Sequence, residues 1–167
     1  LIVAENSIGS ILSYIYSILN GYVVIFIDSA VNKNEIENII KTYKPNFVAC
    51  ENDIFQSFKI TKLKSIYKVY QNVFFYQTKF KKINNNDNLQ MLLPTSGSLG
   101  SNKYVKISKE NIYENTKSII KYLKITKKDR AITNMPFCYS YMLSIINTHL
   151  QTGGCIFVSK LSMIQKE

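Results

Sequence analysis

Apolar residues fall along this chain in two rhythms, short solid runs and helical spacings, separated by polar stops. "LIVA" opens as a strand, and Asn6 or Ser7 stands where a helix behind it would be capped. Ile8, Ile11, Leu12, Ile15, Ile18 and Leu19 keep the spacing of that helix, which Gly21 ends. The β-branched and aromatic run from Tyr22 to Ile27, leading into Asp28, predicts a buried strand. Ile36, Ile39, Ile40 and Tyr43 mark one face of a second helix, stopped before Pro45, and "NFVAC" supplies the next strand. This β-α-β-α-β alternation predicts a largely parallel sheet covered by helices.

Further along, "SIYKVYQNVFFYQ" predicts one or two strands, and "KFKKINNNDN" (79–88) a polar, charged loop. Met91 to Leu93 and the alternating Tyr104 to Ile107 predict two strands joined by a loop, a hairpin. Ser108 can cap a helix carrying Ile112, Ile119, Ile120 and Leu123. "AITNMP" predicts a strand, "YMLSIINTHLQ" a helix ended by Gly153 and Gly154, and "CIFVS" a last strand. The expected fold is therefore α/β, a mainly parallel sheet flanked by helices, with a strand–loop–strand hairpin. It is expected as one partial domain: a β-α-β-α-β lobe over 1–78, the polar loop over 79–88, and the hairpin plus α/β units over 89–167. The chain stops after "LSMIQKE" without closing its last unit, so a piece of a longer domain is expected. "CIFVS" would then lack a downstream partner, and an exposed sheet edge favours self-association.

Composition changes this picture little. At 167 residues and 46% hydrophobic content, one core can bury about two-thirds of the unfolded surface. The net charge of +10 raises nucleic acid or an anionic membrane as partners. Yet the cations are 20 lysines and a single arginine, Arg130, whereas base readers and rigid phosphate clamps use arginine's planar fork. A solvated lysine surface is the plainer reading, and no nucleic-acid partner is expected. Cys50, Cys138 and Cys155 are odd in number and far apart, which suits a reducing, cytoplasmic location and no disulfide framework. With one histidine and no C-x-x-C, no metal site is expected. Asn6 to Ile27 carries no charge and is long enough to span a bilayer, but its serines, Gly21 and the switch to strand residues favour helix then strand.

Chemistry concentrates in "LLPTSGSLGSNKYVKIS", residues 92–108, which holds two of the chain's 6 glycines. A hairpin needs two or three turn residues, so this loop is longer and richer in hydroxyls than turning requires. Thr95, Ser96, Ser98 and Ser101 around Gly97 and Gly100 offer hydroxyl and backbone N–H donors in the manner of an anion cradle, and Lys103 adds a mobile charge. A bland flexible loop is the competing reading. A Walker-type loop fits worse, because Asn102 precedes the lysine and Tyr104 follows it. A dinucleotide fingerprint also fits worse, because this loop opens a strand, not a helix.

"TSGSLGSNKYV" resembles the phosphate-binding loop of the adenylate-forming enzymes, T-S-G-[ST]-T-G-x-P-K-G-V, with Thr95, Ser96, Gly97, Ser98, Gly100, Lys103 and Val105 in place. Leu99, Asn102 and Tyr104 depart from it, standing for threonine, proline and glycine. The stretch from "VAENSIGS" to "KPNFV" is similar to the family's early segment. "VKISKENI" is similar to the segment after its loop, with Lys109 for histidine and Asn111 kept. "MPFCYSYMLSIINTHLQTGG" resembles its aromatic motif, matching at Pro136 and Tyr139, with Met142 for glycine.

The resemblance implies a piece of the large N-terminal domain of an ATP-dependent, AMP-forming carboxylic acid ligase. Such an enzyme activates a small carboxylic acid as its acyl-adenylate, commonly for transfer to a thiol of CoA or a carrier protein. It implies that Thr95, Ser96, Gly97, Ser98, Gly100 and Lys103 bind the ATP phosphates and that Tyr139 flanks the acyl pocket. On the residues alone, Tyr139 reads equally as a packed aromatic or a helix-start residue. The Mg2+ ligand, the ribose-binding aspartate and the catalytic lysine are implied downstream of Glu167. No catalytic residue is therefore expected in this chain, and by itself it should not catalyse adenylation. His149, among apolar neighbours in its helix, reads as packed or surface-lying. A non-catalytic relative using the fold as a scaffold, motivated by Leu99, Asn102 and Tyr104, is the alternative, and a basic nucleic-acid-binding module the third.

Overall fold

The computed structural model describes residues 1–57, 63–81, 88–95 and 103–159. Seven strands form one sheet in the order β4-β5-β3-β1-β2-β6-β7. Its centre is parallel: β1 (Ile2–Ala4) lies between β2 (Val24–Asp28) and β3 (Phe47–Glu51), and β2 also pairs with β6 (Leu89–Pro94). Antiparallel strands flank it, β5 (Val73–Thr78) and β4 (Leu63–Tyr70) on one side and β7 (Tyr104–Ser108) on the other. A separate parallel pair joins β8 (Arg130–Thr133) to β9 (Cys155–Val158). The expected α/β architecture and the hairpin of β6 and β7 are both present. β9, the "CIFVS" strand, pairs with the upstream strand β8. Within the polar loop expected over 79–88, residues 82–87 lie outside the described residues, as do 160–167.

The helices sit where their stop signals put them. Ser7 caps α1 (Ile8–Leu19), its side chain accepting from Ser10 N–H, and Gly21 follows with φ 67°. Asn32 caps α2 (Lys33–Tyr43), and Lys44 ends it in the left-handed region just before Pro45. A short helix α3 (Asn52–Gln56), which no periodicity announces, follows β3. Ser108 and Asn111 form a reciprocal capping box at the start of α4 (Lys109–Leu123). Gly153, at φ 72°, ends α5 (Ser140–Thr152).

Because strand side chains alternate, the central sheet is apolar on both faces. One face presents Ile2, Ala4, Val24 and Phe26 to Ile11 and Tyr14 of α1 and to Met142, Leu143 and Ile146 of α5. The other presents Val3, Ile25, Ile27 and Val48 to Ile36, Ile39 and Ile40 of α2.

In α1 the isoleucine and leucine spacing marks the packed side only in part: Ile11 is buried and Ile15 and Ile18 pack against the core, yet Gly9, Ser10, Ser13 and Ser17 are buried with Tyr14, whereas Ile8, Leu12, Tyr16 and Leu19 are exposed. Small residues let the helix backbone approach the sheet closely. A Cβ at Gly9 would meet Val73 Cγ2 and lie 2.7 Å from Val73 Cβ, which belongs to a buried strand residue that cannot swing aside. Gly9→Leu is therefore expected to destabilise by about 1–3 kcal/mol through overpacking, despite leucine's better helix propensity. Urea unfolding checks this, and an unchanged midpoint would show that α1 can lift off the sheet freely.

Candidate functional site

The four parallel strands β3, β1, β2 and β6 end along one edge of the sheet, at Glu51, Ala4, Asp28 and Pro94. In open α/β sheets ligands settle beyond the carboxyl ends of the strands. A cleft of about 290 Å³ lies there, walled by Glu5, Asn6, Asp28 and Ser29 and by the segment Asn134–Phe137 that leads from β8 to α5. A larger cavity of about 510 Å³ lies at the opposite edge, where the strands begin, against Tyr22, Tyr43, Phe47 and Leu89. Volume favours the second and strand polarity the first. The hairpin loop decides between them, because it leaves β6 at the same edge as the smaller cleft.

That loop is closed at its neck. Thr95 N–H donates to Lys103 O at 3.1 Å and Thr95 Oγ1 donates to the same oxygen at 3.3 Å, continuing the pairing of Pro94 with Tyr104. Thr95 and Lys103 thus stand side by side at the base of the loop, and the Lys103 side chain is exposed. The remaining candidates, Ser96, Gly97, Ser98 and Gly100, lie outside the described residues.

Tyr104 takes the position of the family's glycine, and its bulk is absorbed elsewhere. Its ring packs edge-on against Tyr43 of α2 with centroids 5.5 Å apart, and it joins the core cluster on that face. Burial first, then the neighbouring Tyr43, Glu35 and Cys138, push its hydroxyl up to about 12.

Asp28, at the end of β2, was not singled out by pattern. Its Oδ1 accepts from Ala30 N–H at 2.9 Å, and the Cys138 thiol lies 3.9 Å from its Oδ2. Burial, followed by the Asp28 charge, pushes that thiol up to about 12, so Cys138 stands as a neutral donor and not as a nucleophile. Asn6 Oδ1, also at the cleft wall, is buried with no hydrogen-bond partner, an acceptor left in hand. With the carboxylates of Glu5 and Asp28 the cleft is rich in acceptors. It suits hydroxyl or amine groups and disfavours phosphate.

Tyr139 occupies the N-cap position of α5 without a capping side-chain bond and is half exposed. It follows Cys138 directly but does not line the cleft. His149 is packed: it is 7% exposed, and its Nδ1 sits 2.9 Å from Ile145 O and 3.2 Å from Thr148 Oγ1. Among the described residues no group of three or more His, Cys, Asp or Glu gathers to hold a metal, and no helix is long and apolar enough to cross a membrane.

The buried acids set an alkaline limit on the fold. Burial raises Cys50 and Cys138 from 9.0 to about 12, and Tyr14 from 10.0 to about 12. Each stays protonated in the fold at pH values where the unfolded chain ionises, so their contribution is intact below about pH 9 and lost as pH rises toward 12. The urea midpoint is expected to hold level near neutrality and to fall steadily above about pH 9. A level profile through the alkaline range would contradict this burial.

A mainly parallel sheet covered by helices, with its parallel strands ending along one edge, places the chain in the open α/β class of domains. Residues 1–165 match the family described as "AMP-binding enzyme", and the chain belongs to that family. No curated protein matches it by sequence. Among solved structures it is similar to apo MatB from Rhodopseudomonas palustris, at 17% identity and TM-score 0.73, over 96% of this chain and 34% of MatB. It is similar also to a malonyl-CoA ligase holding methylmalonyl-CoA and AMP, at 14% identity and TM-score 0.70, over 96% of this chain and 34% of that protein. A third is O-succinylbenzoate Coenzyme A synthetase (MenE) from Bacillus subtilis with ATP and magnesium ion, at 15% identity and TM-score 0.67, over 98% of this chain and 44% of MenE. At such identities the likeness is one of fold, and the chain spans less than half the length of these proteins.

Proposed function

We propose that this chain is part of the ATP-holding domain of an AMP-forming carboxylic acid ligase. The observation that carries the reading is the neck of Thr95 on Lys103, which sets a hydroxyl and a cation at the base of a T-S-G-S-x-G loop on the sheet's ligand edge. In this reading Thr95, Ser96, Gly97, Ser98, Gly100 and Lys103 hold the ATP phosphates. Amides and hydroxyls supply directed donors, and Lys103 offsets charge as pyrophosphate departs. A carboxylate oxygen of the acid attacks the α-phosphorus, the bond to the bridging oxygen breaks, and acyl-adenylate and pyrophosphate form. A thiol of CoA or a carrier protein then takes the acyl group, losing its proton and releasing AMP. Tyr139 borders the acyl pocket, and Mg2+ would offset charge on the triphosphate. The three free cysteines suit a reducing, cytoplasmic setting.

Against the scaffold reading, Tyr104, one of the three departures that motivate it, packs its ring on Tyr43 of α2. The test is ATP–pyrophosphate exchange by the full-length protein across a panel of carboxylic acids. Acid-dependent exchange is expected, and its absence with every acid would favour the scaffold. The 167-residue chain alone is expected to show none, and turnover by it would place the active site elsewhere.

A further inference from the structure

Half of the chain's net charge sits at one end of one helix. Lys117, Lys121, Lys124, Lys127, Lys128 and Arg130 face a single acid, Asp129, giving six minus one, or +5, of the +10 carried by all 167 residues. No charged side chain follows from 131 to 159. All six cations are exposed. Asp129 is turned onto its own loop, its Oδ2 accepting from Thr126 N–H at 2.7 Å and Thr126 Oγ1 at 2.9 Å. Lysines complement a helix carboxyl end, which accounts for Lys121 and Lys124 but not for the cations beyond the helix.

Two apolar-bodied side chains stand among these cations. Tyr122 is 85% exposed and Leu123 60% exposed, the former the most open of the large hydrophobic side chains. Exposed lysines beside exposed tyrosine and leucine make an amphipathic surface. Partners that fix carboxylates or phosphates in space are met by arginine forks, and this surface has one arginine to five lysines. Flexible lysines suit anions that move to meet them, and tyrosine and leucine suit a headgroup layer. We propose that the carboxyl end of α4 and the turn after it form a peripheral docking surface for an anionic lipid bilayer.

Vesicle flotation tests it. Binding is expected to vesicles with about one-third phosphatidylserine in phosphatidylcholine and not to phosphatidylcholine alone, weakening as salt is raised. The double variant Lys121→Glu/Lys124→Glu should lower partitioning at least about tenfold. Tyr122→Ser/Leu123→Ser should lower it severalfold at unchanged charge. Lys64→Glu/Lys68→Glu, the same charge change on exposed residues of β4, should leave it within about twofold. Absence of binding, equal binding to both vesicle types, or equal loss in the two charge variants would overturn the proposal. So would tighter binding to heparin or single-stranded DNA than to anionic vesicles at the same salt.

Discussion

Replacing Phe26 by alanine is expected to remove about 3–5 kcal/mol of folding stability, the largest single loss from this core. Phe26 is wholly buried in β2, where its ring meets Tyr14 of α1 at 5.5 Å and Phe137 of the cleft wall at 5.6 Å. Tyr14 and Phe137 complete a triangle at 6.4 Å, and the Tyr14 hydroxyl donates to Asn147 Oδ1 of α5 at 3.0 Å. Sheet, α1, α5 and the segment Asn134–Phe137 therefore meet at one ring. Alanine would leave a cavity bounded by three elements that cannot all close on it. Domains of this size hold only about 5–15 kcal/mol in total, so the variant should melt much earlier and unfold at far lower urea. A loss below about 1 kcal/mol would mean that the three elements are held together by other contacts.

That triangle also marks what the sequence could and could not convey. Local stops were legible because each rests on one residue's chemistry: the Ser7 and Ser108 caps, Gly21 and Gly153 at positive φ, and Pro45 after α2 all stand as expected. The α1 face was only partly legible, because that helix is apolar or small around its whole circumference: Ile11, Ile15 and Ile18 pack on the core, but so do glycine and serines, with Val73 leaving no room for a side chain at Gly9. The cleft was less legible still. Asn6, Asp28 and Phe137 lie far apart in sequence and line one cleft only because β1 and β2 end together and the segment before α5 packs against them, with the Cys138 thiol beside Asp28. The loop stood out since its residues are contiguous, yet only its neck, Thr95 and Lys103, is described.

Function should respond most sharply at that loop. In the full-length protein, Lys103→Ala is expected to weaken ATP-dependent pyrophosphate exchange by roughly 1–3 kcal/mol, the loss of one charged hydrogen-bond partner. Gly97→Val should cost more than the lysine loss, because a β-branched side chain restricts φ and would crowd phosphate oxygens approaching the backbone amides. The two substitutions separate charge from shape. Lysine at 103 acts through an exposed, flexible stem, so arginine there should recover part of the loss, whereas no larger residue at 97 should recover any. Lys103→Ala should retain the wild-type melting temperature, because the Lys103 side chain is exposed. Exchange rates unchanged in both would reject the loop as the nucleotide clamp. A loss in both accompanied by a fall in melting temperature would make the loop a structural element of the hairpin.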